Sequence, residues 1–315
     1  MTPHADELLD QALSALEGGH ADAAEALARE GLARHADDAG LWSLAGLCAH
    51  LRQDEPAAEA DWRQAMRLAP SAPVCRRLVA LLTQQGRRAE ALACQQALVA
   101  ATPDDPAAQV DLGVLLAELG HWPDAEQAYR HALALRPDDV AAHTNLGLVL
   151  EKTRRYAEAE QHQRRACALA LQVPDAVGLP ATLAVLCHLG NLLARTDRAE
   201  EAEALYRQAL QRDPGSAMAH TNLGVLCFDL GRLDEAEACF RAALALRPEA
   251  SSARLNLGQL LLTRGDFAEG WAQWDRRYDV YTPGALPAFP RDTGRARRWR
   301  GEPLAGQRLL VWPEQ

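Results

Sequence analysis

Lysine is almost missing from this chain: of 33 basic side chains only one, Lys152, is a lysine, and 43 acidic side chains oppose them. A formal net charge of -10 repels nucleic acid and anionic membrane surfaces, so neither is expected as a partner. No apolar run is long enough to cross a bilayer. The opening Met1-Thr2-Pro3-His4-Ala5-Asp6-Glu7 carries acid where a secretory signal carries Lys or Arg before an apolar stretch, so a cytoplasmic protein is expected. The seven cysteines form no C-x-x-C pair and fall inside helical patterns; they read as small packing side chains without a disulfide framework. Ten histidines include no H-E-x-x-H and no His/Cys cluster, so no metal is expected. G-x-S-x-G, G-x-G-x-x-G and a phosphate loop are also missing, which leaves nothing for a self-contained enzyme and implies no cofactor.

A recurrence fills the space those absences leave. Gly113, Gly147, Gly190, Gly224 and Gly258 stand 34, 43, 34 and 34 residues apart, each followed twelve residues on by Ala125, Ala159, Ala202, Ala236 or Gly270. A period of 34 with small residues in fixed phase marks a stacked helix hairpin. In the clearest copy, Leu112, Gly113 and Leu116 share one face of a first helix, and Ala125, Tyr129 and Ala132 share a face of a second. Gly120 separates the two helices and Pro137 ends the second. Gly113 and Ala125 are expected where the two helices touch. Neighbouring copies follow the same grammar, giving repeats at about 5–38, 39–71, 72–105, 106–139, 140–171, 183–216, 217–250 and 251–280. Between Leu171 and Leu183 the chain carries nine extra residues, within Gln172 to Pro180; two prolines and a glycine predict a longer connection there rather than helix across the whole span.

By Trp42, the repeated Leu-Gly pairs, Tyr129, Tyr206, Phe240, the paired alanines and Pro70, Pro137, Pro214 and Pro248, the chain resembles the tetratricopeptide repeat family over roughly residues 5 to 280. The resemblance implies an all-α, right-handed superhelical α-solenoid of about eight hairpins, with first helices lining a concave groove and second helices outside. It also implies a scaffold that binds a protein or peptide.

The residues just before each Leu-Gly pair, Asp111, Asn145, His188, Asn222 and Asn256, share one phase of the repeat and are the candidate peptide-binding residues. A carboxamide offers both a donor and an acceptor, so a row of them can pair with the backbone of an extended peptide. Alternatively these groups brace the adjacent repeat. His-Thr-Asn-Leu-Gly at 143 to 147 and 220 to 224 resembles the repeats of O-linked N-acetylglucosamine transferases, where inner-face asparagines hold the acceptor backbone. That carries over to Asn145, Asn222 and Asn256; Asp111 and His188 depart from it. A carboxylate clamp, which needs Lys and Arg on the inner helices, is not expected with Thr144, Leu148 and Thr221 there.

Residues 281–315 read differently. Pro283 to Pro290 is a linker by composition, and the arginines around Trp299 read as a solvated or partner-packed surface. Gly265-Asp266-Phe267, Gly270-Trp271, Trp274, Trp299-Arg300-Gly301-Glu302-Pro303-Leu304-Ala305-Gly306 and Leu309-Leu310-Val311 resemble the junction in bacterial repeat proteins that carry a glycosyltransferase-like α/β domain. The resemblance makes Leu309 to Val311 the start of that domain's first strand. It suggests a second role, recruitment of substrate for a glycosyltransferase.

Overall fold

The computed structural model describes residues 5–172 and 177–275. The linker and the apolar run of residues 281–315 lie outside the described residues. Sixteen helices occupy the described part and pair as eight hairpins. They are α1 (Ala5–Glu17) with α2 (Ala21–Arg34), α3 (Ala39–Leu51) with α4 (Glu55–Leu68), α5 (Ala72–Gln84) with α6 (Arg88–Ala101), and α7 (Pro106–Glu118) with α8 (Trp122–Leu135). Next come α9 (Val140–Lys152) with α10 (Tyr156–Gln172), α11 (Leu179–Arg195) with α12 (Ala199–Arg212), α13 (Ala217–Asp229) with α14 (Leu233–Leu246), and α15 (Ser251–Arg264) with α16 (Phe267–Asp275). The chain divides into two compact units, Met1–Pro214 and Gly215–Gln315, holding six and two of these hairpins. Within each unit a second helix packs on the first helix of the next hairpin, as α8 does on α9 and α14 on α15. First helices of consecutive hairpins also touch: α7 meets α9, α9 meets α11, and α13 meets α15. This is the stacking of an α-solenoid.

The recurring glycine has a steric cause. A Cβ on Gly113 would sit 2.5 Å from the Tyr129 ring, one on Gly190 2.5 Å from Tyr206, and one on Gly224 2.6 Å from Phe240. Gly46 meets Trp62 in the same way at 2.5 Å, and Gly147 meets Gln163 at 2.7 Å. The small residue therefore makes room for a large side chain sixteen positions on, across the hairpin. Ala125, the other expected contact, is fully buried in the core around Tyr129. In the third hairpin Val79 stands at the glycine position, and the residue opposite is Gln95, whose amide turns to Cys75 and to the Ala108 carbonyl.

Turns and ends repeat as well. The residue two before each second helix is left-handed in all eight hairpins: Gly19, Gln53, Gly86, Gly120, Arg154, Asp197, Gly231 and Gly265, at φ from 60° to 92°. Asp38, Asp105, Asp139 and Ser216 accept hydrogen bonds from the first-turn N–H groups of α3, α7, α9 and α13. Pro70, Pro103, Pro137 and Pro248 force the preceding Ala69, Thr102, Arg136 and Arg247 out of helix, at φ near -131° to -147°.

The fifth hairpin shows what happens without that proline. Leu171 stands in its place, so α10 runs on for 17 residues where its counterparts have 14. On the other side α11 begins at Leu179, with Pro180 in its first turn, and is also 17 residues long where other first helices have 13 or 14. The insertion thus lengthens the ends of both neighbouring helices, with Gln172, Leu179 and Pro180 helical and Gly178 not, so helix does not run across the whole span. Proline is tolerated at a helix start, where its missing N–H has no partner to lose. Residues 173–176 lie outside the described residues.

Candidate functional site

Because first helices of consecutive hairpins lie side by side, equivalent positions along them share a face. Asp111, Asn145 and His188 occupy one register on α7, α9 and α11 of the first unit. Asn222 and Asn256 occupy that register on α13 and α15 of the second. All five are half-buried. They differ in what they are free to do.

Asp111 is engaged: the Arg76 guanidinium, on α5, donates to its carboxylate at 2.7 Å. That ion pair braces the neighbouring hairpin, the role weighed against peptide binding. Burial pushes the His188 imidazole below its ordinary pKa, so it stays neutral in neutral solution. The carboxamides of Asn145, Asn222 and Asn256 make no side-chain hydrogen bond among the described residues. Residues one turn away in this register are apolar: Val114, beside Asp111, and Met218, beside Asn222, are 37% and 40% exposed, and Leu148 and Val225 are half-buried. Thr144 and Thr221 turn their hydroxyls back to the Val140 and Ala217 carbonyls. The surface is therefore neutral, with unbonded amides beside accessible apolar groups. Val114 and Met218 were not singled out by sequence, since an exposed apolar residue in an amphipathic pattern has no signature of its own.

Arginine is spent on a different face. Glu59, Arg63, Arg87 and Glu90 form a closed ring of ion pairs between α4 and the start of α6, at 2.6 to 2.9 Å. Glu126, Arg130, Arg155 and Glu158 repeat it between α8 and α10, and Glu160, Arg164, Arg198 and Glu201 between α10 and α12, at 2.6 to 3.5 Å. This ladder could have been found from the sequence, because each Glu-x-x-x-Arg is answered one repeat later by Arg-x-x-Glu.

Between α6 and α8 the ladder lapses. Leu92, Gln96, His121 and Asp124 fill its four positions, and Asp124 makes no ion pair among the described residues. A cavity of about 340 Å³ opens at this junction, lined by Gln96, Gln109, Leu112, Leu116, Asp124 and His131 among others. None of the five expected peptide-binding residues lines it. The Gln109 side chain is 4% exposed and also makes no side-chain hydrogen bond among the described residues. No helix among the described residues is long and apolar enough to cross a membrane.

Among solved structures, a tetratricopeptide repeat protein from Parabacteroides merdae is similar at a TM-score of 0.59 and 16% identity, over 82% of this chain and 98% of that one. The Cut9–Hcn1 hetero-tetramer of the APC/C is similar at a TM-score of 0.57 and 18% identity, over 79% of this chain and 48% of that chain, about half its length. At such identities the likeness shows the fold. No curated protein matches. A family model for the tetratricopeptide repeat matches residues 9–73, 78–130, 110–172, 187–238 and 228–290. With the hairpin period, the glycine-to-aromatic contacts and that match extending over most of its length, the chain belongs to the tetratricopeptide repeat family.

Proposed function

We propose that the first-helix faces of this chain hold an extended polypeptide by its backbone. Repeats of this family generally mediate protein–protein interaction. The observation that carries the finer reading is the set of half-buried carboxamides, Asn145 in the first unit and Asn222 and Asn256 in the second, at one register and without side-chain partners. Each carboxamide carries a donor and an acceptor that can pair with a peptide C=O and N–H. Flanking Val114, Leu148 and Met218 supply apolar contact without charge selection. Asp111, held by Arg76, contributes rigidity, and neutral His188 offers one donor and one acceptor.

The test is a peptide selected from a display library against the intact chain, then varied two ways. N-methylation of its central amides should weaken binding about tenfold per lost hydrogen-bond pair, while side-chain replacement by alanine should matter less. Asn145→Ala, Asn222→Ala and Asn256→Ala should each weaken the unmodified peptide. Equal affinity for the three variants and the parent sinks the reading. A second role, recruitment of substrate for a glycosyltransferase, rests on the sequence pattern from Trp299 to Val311; faster sugar transfer from a nucleotide sugar to the bound peptide when this chain is added to a glycosyltransferase is its test, and an unchanged rate would oppose it.

A further inference from the structure

The third hairpin packs a pair of thiols whose chemistry the peptide-binding face does not use. Cys75 on α5 and Cys94 on α6 face each other across the hairpin with sulfurs 3.4 Å apart. Of the seven cysteines, Cys94 alone is half-exposed; the other six are buried, Cys75 completely. The Cys75 sulfur also lies 3.2 Å from the Gln95 carboxamide oxygen, so its single proton can turn to that oxygen or to Cys94. We propose that Cys94 and Cys75 are a hydroperoxide-reactive pair that closes to an intramolecular disulfide.

Chemistry and access divide the roles. The hydrogen bond from Cys75 holds the Cys94 thiol below its ordinary pKa against the opposing effect of burial, and the Arg63 charge helps. The same contact, with burial, pushes Cys75 up. A thiolate that is partly exposed and near a cation is the reactive kind; a fully buried neutral thiol is inert to solvent oxidants. Cys94 sulfur attacks one oxygen of the hydroperoxide: an S–O bond forms, the O–O bond breaks, and the departing alkoxide or hydroxide takes a proton. The sulfenic acid so made faces Cys75. Cys75 sulfur then attacks it, the S–S bond forms, the S–O bond breaks, and hydroxide leaves as water with the Cys75 proton. Two thiols lose two electrons and the peroxide gains them. To form the bond the sulfurs close from 3.4 Å to about 2.0 Å.

The experiment treats the reduced full chain with a few equivalents of hydrogen peroxide and reads intact mass, free thiols and a non-reducing peptide map. The expected result is loss of two thiols and two hydrogens, with one peptide pair linking Cys75 to Cys94 inside one chain. In Cys75→Ser a sulfenic-acid trap should label Cys94, whereas Cys94→Ser should keep all its thiols at the same dose. The wild-type map decides alone if a variant folds poorly. Seven free thiols after treatment, Cys94 driven to sulfinic acid with Cys75 still free, or a bridge between two chains would each overturn the proposal.

Discussion

At the scale of single residues, the chain is governed by paired demands for space and for unusual backbone. Gly113 is small because Tyr129, 1% exposed, occupies the volume its Cβ would need. Gly113→Ala should therefore lower stability by about 1–3 kcal/mol in urea unfolding, the usual range for overpacking a filled core. Adding Tyr129→Gln should recover part of the loss, as the third hairpin tolerates Val79 where Gln95 stands opposite. Unchanged stability in Gly113→Ala would refute the contact. Gln53 and Arg154 hold the left-handed turn position that glycine holds in five of the other hairpins, at φ 63° and 62°. A side chain there costs about 1–2 kcal/mol relative to glycine, partly offset by glycine's freedom in the unfolded chain. Gln53→Gly and Arg154→Gly should each raise the melting temperature, and a decrease would contradict the strain.

At the scale of elements, ion-pair rings tie consecutive second helices together. Bonds from Arg87 hold Glu90 down to about 2, below its usual 4.5, and Arg155 and Arg198 lower Glu158 and Glu201 in the same sense. A depressed carboxylate pKa stabilises the fold above its unfolded value and loses that contribution as pH falls through the folded one. Stability should hold near pH 5 and decline between about pH 4.5 and pH 2, and high salt should reduce that slope. A melting temperature flat across that window would deny the rings a part in stability. Gln96→Arg places one cation of the missing ring between α6 and α8, facing Asp124; a rise of about 1 °C in melting temperature is expected, and none in low salt would argue against the register. The hairpins themselves were legible because small residues recur at a fixed interval. The longer helix ends beside the insertion were not: Leu171 lets α10 continue, and Pro180 falls where a helix start accepts it.

For the whole molecule, the two units share one arrangement of first and second helices; the first unit's second helices bear the charged rings, while Asn145, Asn222 and Asn256 are neutral. The expected residues sit in phase, so Asp111, Asn145 and His188 in the first unit and Asn222 and Asn256 in the second could be grouped from spacing alone. What spacing could not give was the state of each one. Arg76 lies 35 residues before Asp111 and meets it only because α5 and α7 belong to adjacent hairpins. The 340 Å³ cavity is missing volume, and missing volume leaves no motif. The central claim is that a bound polypeptide meets the unbonded amides. Side-chain amide resonances in nitrogen-15 spectra, assigned with the three Asn→Ala variants, test it most directly during titration with a selected peptide. The account expects the Asn145, Asn222 and Asn256 signals to shift in step with binding; saturation of the chain with those signals unmoved would contradict it.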